Sequence, residues 1–431
     1  MDELERELRR VLRDDRWRLE PPTEAVERVR RGAMRRQRRR RAAAGGLSAF
    51  AIVAVASAVF ATPLLTGGNG EQSAAKGEAS SSAERLDSAS PAPMESGKSA
   101  QPRRTAEPTV SGGPVPAGFR ARSLTAVSTD TFWVLGTAPC DTPVCTSIVR
   151  TDDGGRTFRG LPAPRAPLAS DRPTRAAIGD LRFASGDDGY AFGGALWTTH
   201  DGGRQWARGS LPGSVERVEA AGGTAWALVS VGDGQRLYRS PTSRDSWSRV
   251  RLPTTLGGET ADLAVHGSGL VTVVGGSGDR SVSVVSTDGG RTFDTHDRPC
   301  DPALGSTVSA TSGALWMFCA TGTQGRPYVS TDDARSWNAV RGAPAGGWAN
   351  SSVVGARSRT TAALASGTRI YTLTSGGATR PASNAADTGG TSFRFLGFTT
   401  PLVGYAVVGR TSTSSLWRTT DGGHTWGTVR F

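Results

Sequence analysis

The chain has 431 residues, with 51 Lys and Arg against 39 Asp and Glu, a net charge of +12, four Cys and four His. The first 41 residues hold 15 Arg against 9 acidic residues, so about half of the basic excess is confined to the N-terminus. His200, His266, His296 and His424 stand far apart with no ligand spacing, which argues against a metal centre, and no cofactor is expected.

In the N-terminal segment, residues 1–41, Leu4, Leu8, Val11 and Leu12 share one face of a short helix, and Pro21-Pro22-Thr23 opens a second with Thr23 as its cap. The segment ends in Arg35-Arg36-Gln37-Arg38-Arg39-Arg40-Arg41. Residues 42–63 follow as an uncharged run rich in Ala, Val, Ile and Phe, long enough as a helix to cross a bilayer. A basic cluster before the run and none after it places the N-terminus in the cytoplasm and the remainder outside. A cleavable signal peptide is the rival reading, through Ala56-Ser57-Ala58 or Val59-Phe60-Ala61. The long segment ahead of the apolar run, far beyond an ordinary n-region, favours an uncleaved signal anchor. Residues 64–117 are Ser, Ala, Gly, Pro and charged, the composition of a disordered linker with a mean reach of roughly 40 Å.

From residue 118 to 431 a phrase repeats. It reads Thr151-Asp152-Asp153-Gly154-Gly155-Arg156-Thr157-Phe158, then Thr199-His200-Asp201-Gly202-Gly203-Arg204-Gln205-Trp206. It returns as Ser286-Thr287-Asp288-Gly289-Gly290-Arg291-Thr292-Phe293 and as Thr419-Thr420-Asp421-Gly422-Gly423-His424-Thr425-Trp426. Worn copies run Ser240 to Trp247 and Ser330 to Trp337, the latter keeping Asp332. A further copy, Thr372-Leu373-Thr374-Ser375-Gly376-Gly377, has lost both Asp and Trp. The steps are about 45 residues, the size of a four-stranded propeller blade, and seven of them fill the segment. Aromatic-led strands such as Tyr190-Ala191-Phe192, Trp226-Ala227-Leu228, Leu315-Trp316-Met317 and Tyr405-Ala406-Val407 recur upstream of the phrase. The fold expected is therefore all-β, a seven-bladed β-propeller preceded by one transmembrane helix and a short helical cytoplasmic tail.

The phrase falls between the third and fourth strands of a blade. Its Ser or Thr and its Asp are short acceptors for local backbone N–H groups, and its Gly pair supplies positive φ. Its terminal aromatic is expected to turn inward, leaving Trp206, Trp337 and Trp426 largely buried. The pattern resembles the Asp box, or bacterial neuraminidase repeat, carried by sialidases, other glycosidases, sortilin-type receptors and photosystem II assembly-factor-like propellers. That resemblance implies a structural role for Asp153, Asp201, Asp288, Asp332 and Asp421 and for Trp206, Trp247, Trp337 and Trp426. The even cysteine count in an exported domain points to two disulfides, Cys140–Cys145 and Cys300–Cys319.

No catalytic site emerges. A sialidase needs an arginine cluster, a tyrosine nucleophile and an acid/base carboxylate, with an Arg-Ile-Pro phrase ahead of the first box. The corresponding stretch here is Gly118-Phe119-Arg120-Ala121-Arg122, and Tyr190, Tyr238, Tyr328, Tyr371 and Tyr405 occupy positions of core aromatics. Asp187, Asp188, Asp141 and Asp301 read as turn residues. Arg156, Arg204 and Arg291 repeat at one box position and read as a solvated rim; an anionic partner is the sharper alternative. The expected function is a non-catalytic module that binds a protein or cell-envelope glycan, with membrane attachment through 42–63 and no nucleic-acid role. A degenerate glycoside hydrolase is the alternative. A tail that signals what the propeller senses is a third reading, and it lacks the His/Cys zinc motif of many anti-sigma domains.

Overall fold

The computed structural model describes residues 112–140, 145–169, 174–344, 347–377, 379–382, 392–409 and 414–431. The expected cytoplasmic tail, membrane segment and most of the linker lie outside the described residues, as do Asp141 and the side chain of Cys145. No helix occurs among the described residues, and twenty-eight strands follow one another in sets of four.

The first set is β1 (Arg120–Ala126), β2 (Phe132–Ala138), β3 (Cys145–Thr151) and β4 (Arg159–Leu161). The second is β5 (Asp180–Phe183), β6 (Asp188–Phe192), β7 (Trp197–His200) and β8 (Ala207–Arg208). Next come β9 (Ser214–Ala221), β10 (Thr224–Val231), β11 (Gly234–Pro241) and β12 (Ser248–Val250). The fourth set is β13 (Leu256–His266), β14 (Leu270–Ser277), β15 (Arg280–Ser286) and β16 (Asp294–Asp297). The fifth is β17 (Ser306–Thr311), β18 (Ala314–Ala320), β19 (Gly325–Ser330) and β20 (Asn338–Ala339). The sixth, whose box is the most decayed, is β21 (Val353–Ala356), β22 (Thr361–Ser366), β23 (Arg369–Thr374) and β24 (Thr379–Pro381). The last is β25 (Phe393–Phe398), β26 (Gly404–Val408), β27 (Ser415–Thr419) and β28 (Gly427–Val429).

Each set is an antiparallel meander in which sequence order is spatial order. Five of the sets form separate four-stranded sheets. The third and fourth are joined into one eight-stranded sheet, because the start of the long strand β13 pairs with β11 at Gly234↔Gly257 and Gln235↔Leu256 before β13 shifts register and joins β14. That junction departs from the separate blades expected from the repeat.

The first strand of each set packs on the first strand of the next, from β1 to β5 and on to β25, and β25 returns to β1. The apolar core is correspondingly divided into clusters that lie between successive sheets. One joins Trp133 and Leu135 of β2 to Leu181 and Phe183 of β5, and another joins Phe132 and Val134 to Tyr405 and Val407 of β26. Second strands are almost wholly buried, as in Phe132–Ala138 and Gly404–Val408, because they are covered on both faces by neighbouring sheets. Their apolar runs are the strands that the sequence displays most clearly. The architecture is a β-propeller.

The last residues of the expected linker lie against this body. Gly113 pairs with Gly160 of β4 through two backbone hydrogen bonds of 3.0 and 2.9 Å. Cys300 and Cys319 are joined, with Cα atoms 5.2 Å apart, linking the end of the fourth set to β18. Cys140 is also disulfide-bonded.

Candidate functional site

Each box sits in the turn between the third and fourth strands, and the five that keep the Asp share one geometry. The Thr151 hydroxyl donates to Asp153 Oδ1 at 2.7 Å and accepts the Gly155 N–H at 3.0 Å. Asp153 in turn accepts the N–H groups of Arg156 and Thr157, at 2.9 and 3.0 Å, and the Thr157 hydroxyl at 2.6 Å. Asp201, Asp288, Asp332 and Asp421 each accept the hydroxyl two residues upstream, at 2.8 Å, and the N–H four residues downstream, at 2.9 to 3.0 Å. Burial opposes ionisation of Asp153, but these donors outweigh it and lower its pKa to about 2.

The first Gly of the box ties the loop to the hairpin between the first two strands of its own set. Gly154, Gly202, Gly289 and Gly422 donate to the carbonyls of Asp130, Asp187, Gly269 and Leu402 at 2.8 to 2.9 Å. The second Gly lies against an aromatic: a Cβ at Gly290 would meet the Trp226 ring at 2.2 Å. All eight of these glycines have φ between 74° and 94°. In the worn fifth box the same conformation persists without glycine, at Asp333 (φ 56°) and Ala334 (φ 61°).

The terminal aromatics are less enclosed than expected. Trp426 is 4% exposed, whereas Trp206, Trp247 and Trp337 are half-buried. Trp206 packs edge-on against Phe183 and donates its indole N–H to the Pro162 carbonyl at 3.1 Å, so it lies over the junction with the preceding set and keeps part of its surface in water. Arg156, Arg204 and Arg291 are exposed. Asp187 lies in the turn before β6 and Asp301 caps a turn by accepting the Ala303 N–H at 2.8 Å.

A cluster of charged residues assembles elsewhere. The first strands of all the sets line a central cavity of about 230 Å³. Asp180 and Arg182 enter it from β5, Arg217 and Glu219 from β9, Asp262 from β13, Thr307 from β17 and Arg394 from β25. Alternation along an extended strand explains the pairs at i and i+2: Leu181 and Val218, between them, point back into the core. Arg122 and Arg394 are the extra residues at irregularities in β1 and β25, and their Nε atoms donate to the carbonyls of Gly179 and Gly409 at 3.0 and 2.9 Å.

Most of the charge is paired across sets. Arg182 Nη2 lies 2.5 Å from Glu219 Oε1, and Arg217 Nε lies 2.8 Å from Asp262 Oδ1. Asp262 also accepts the N–H of Leu263 at 3.0 Å and that of Val308 at 2.9 Å, so both oxygens are engaged. The Asp262 charge raises the Arg217 pKa above its ordinary value, against the effect of burial. Burial and the neighbouring Asp262 charge push the Glu219 carboxyl up, and the Arg182 charge opposes them. The arrangement is a chain of paired charges running across the second, third and fourth sets. It can recognise a charged or hydrogen-bonding group at the channel more readily than it can exchange protons, because Glu219 and Asp262 are already engaged by Arg182 and Arg217.

None of the box residues lines this cavity. Nothing in the repeated phrase pointed to Arg182, Arg217, Glu219, Asp262 or Arg394. The available signal was subtler: charged residues alternating with apolar ones at the start of a unit, as in Asp180-Leu181-Arg182 and Arg217-Val218-Glu219.

The chain is similar in three dimensions to YCF48 bound to D1 peptide, at 20% identity over 71% of this chain and 95% of that one, with a TM-score of 0.51. It is also similar to YCF48 from Cyanidioschyzon merolae, at 16% identity over 71% and 97% of the two chains, with a TM-score of 0.50. A puromycin-hydrolyzing peptidase of Mycobacterium tuberculosis matches at 12% identity, covering 74% of this chain and 55% of that one, with a TM-score of 0.50. No family model and no curated protein matches. At these identities the likeness shows the fold, a β-propeller, which serves hydrolases as well as other proteins.

Proposed function

We propose that this protein is a membrane-anchored, extracytoplasmic β-propeller of seven blades that binds a protein or cell-envelope glycan partner without acting on it chemically. In this reading residues 1–41 are cytoplasmic, 42–63 cross the membrane, 64–117 tether and 118–431 form the propeller. The blade number is supported by the seven sets of four strands and by the contact of β25 with β1. The Asp-box reading, with a structural role for the box Asp and Trp residues, is supported by the hydrogen bonds that the five box Asp side chains make within their turns.

The observation that carries the binding role is the charged channel, in which Arg182 and Glu219, and Arg217 and Asp262, hold one another in place across adjacent blades. Such preorganised charge favours recognition. The three-dimensional likeness to a YCF48 that is bound to a peptide is consistent with a protein partner. The hydrolase alternative draws on one observation, that Asp180, Glu219 and Asp262 reach a single cavity from successive blades. Against it, Asp262 has both oxygens occupied.

The test is affinity capture of the full chain from crosslinked membranes, comparing wild type with Arg182→Gln/Arg394→Gln. A specific partner should be recovered with wild type and lost with the double variant at unchanged melting temperature. Recovery unaffected by the substitutions would move the binding surface elsewhere. Turnover of an envelope glycan that disappears in Glu219→Gln would replace the binding reading with the enzymatic one.

A further inference from the structure

Arg298 follows β16 at the junction of the fourth and fifth sets and is 5% exposed. Its backbone N–H donates to the Ser281 carbonyl at 3.0 Å, continuing the register in which Ser283 faces His296. Ser281, Ser283 and Arg298 therefore project from one face of the sheet. That face carries Val274 and Val285, which pack against Met317 of β18 and the Cys300–Cys319 disulfide. His296 flanks the row, half-buried.

In this apolar setting Arg298 Nη1 donates to the Ser306 hydroxyl at 2.5 Å and lies 3.8 Å from the Met317 sulfur. Its Nε and Nη2 have no acceptor, and the buried hydroxyls of Ser281 and Ser283 have no partner either. Among the described residues no carboxylate forms an ion pair with Arg298, and the one whose charge reaches it, Asp262, is committed to Arg217 and two backbone donors. Burial lowers the guanidinium pKa only to about 10, so the group is charged at neutral pH.

A buried charge without a counter-charge is strongly destabilising, and arginine cannot escape by releasing its proton. Water would satisfy the donors and leave the charge uncompensated. Two guanidinium nitrogens and two hydroxyls on this one sheet face are all able to donate, and none of them has an acceptor among the described residues. The group they complement is an acceptor that carries negative charge. The surrounding side chains are tightly enclosed, with Val274, Met317 and Cys319 fully buried, which disfavours a bulky oxyanion. We propose that Arg298, Ser281 and Ser283 hold a small monovalent anion of the halide class between the fourth and fifth blades.

Bound only in the folded state, the anion would stabilise the protein by mass action. The melting temperature of the full chain should rise with chloride or bromide relative to gluconate at matched ionic strength. Arg298→Met should abolish that dependence, and Ser281→Ala/Ser283→Ala should weaken it in a protein that still folds. Crystals of the full chain grown in bromide should show an anomalous peak between the Arg298 guanidinium and the two hydroxyls. Ordered water alone at that position, or a halide response undiminished in the double serine variant, would overturn the assignment.

Discussion

The indole N–H of Trp133 donates to the carbonyl oxygen of Gly202 at 3.1 Å, so an aromatic at the start of one second strand is fastened to the box of the next set. The relationship recurs with other residues. Tyr190 donates to the Thr242 carbonyl at 3.2 Å, and Trp316 to that of Ser358 at 3.1 Å. Tyr405 donates to the Thr129 carbonyl at 3.3 Å, which ties the last set to the first. The acceptor is a box turn for Trp133 and Tyr190 and the hairpin between the first two strands for Trp316 and Tyr405, so both kinds of turn receive the aromatic of the preceding set.

Trp133→Phe should therefore weaken the fold although it keeps an aromatic ring. Trp133 is fully buried and stacks on Phe183 with centroids 3.8 Å apart, so the lost N–H leaves a carbonyl without its donor. The expected cost is about 1–2 kcal/mol, rising to about 3–5 kcal/mol for Trp133→Ala. Urea unfolding of the three proteins measures both, and equal stability of Trp133→Phe and wild type would show that the latch contributes nothing.

The box tryptophans should not be equivalent. Trp426 is enclosed, and its replacement by Ala should cost about 3–5 kcal/mol. Trp206 retains exposed surface, and the same change should cost about 1–3 kcal/mol. The comparison is made by denaturant midpoint at unchanged slope; the reverse ranking would contradict the burial argument.

Acid should erase the contribution of the box carboxylates. In the folded protein the hydrogen bonds to Asp153 and Asp421 overcome the opposing effect of burial and bring their pKa values to about 2. A carboxylate depressed on folding stabilises above its unfolded value near 4, and that contribution is lost as pH falls through the folded value. Asp153→Asn and Asp421→Asn should each lower stability by about 1–2 kcal/mol at neutral pH. Their deficit relative to wild type should shrink between about pH 4 and pH 2. A deficit independent of pH would mean that ionisation is irrelevant to the box.

The boxes and second strands were legible because each repeats a local solution: hydroxyl, carboxylate and two left-handed residues close a turn without help from elsewhere. The channel was not, since Arg182 finds Glu219, and Arg217 finds Asp262, only after different units have packed together. Nor does the period reveal that β13 begins by pairing with β11, which depends on where its register shifts. Trp206 looked like Trp426 in sequence, but the enclosure of a box aromatic is set by the preceding set and not by the box.

The worn fifth box should be improvable. Asp333 adopts φ 56° and makes only a 4.0 Å exposed ion pair with Arg335. Asp333→Gly relieves the left-handed strain and should stabilise by about 1 kcal/mol. Gly290→Ala should do the reverse, because φ is 76° and the new Cβ would lie 2.2 Å from the Trp226 ring. Thermal unfolding of the two variants should move in opposite directions, and a destabilised Asp333→Gly would indicate that its carboxylate matters more than its backbone.

Between the second and third sets, His200 joins two carboxylates. Its Nδ1 lies 2.8 Å from Asp188 and its Nε2 3.6 Å from Asp245, which also accepts the Thr198 hydroxyl at 2.7 Å. Asp188 belongs to β6 and receives the Ser185 hydroxyl at 3.0 Å, whereas Asp245 belongs to the worn third box. Burial alone would lower the imidazole pKa, but the Asp188 hydrogen bond and the charges of Asp245 and Asp188 outweigh it, and the value is raised. A histidine whose pKa rises on folding stabilises the protein below its unfolded value near 6.5, and the contribution disappears as pH climbs through the folded value. His200→Gln should accordingly be less stable than wild type at about pH 5.5 and approach it by about pH 8. Melting temperatures of both proteins across that range decide the matter. A gap that widens toward alkaline pH would show that neutral His200, and not its cation, holds the two sets together.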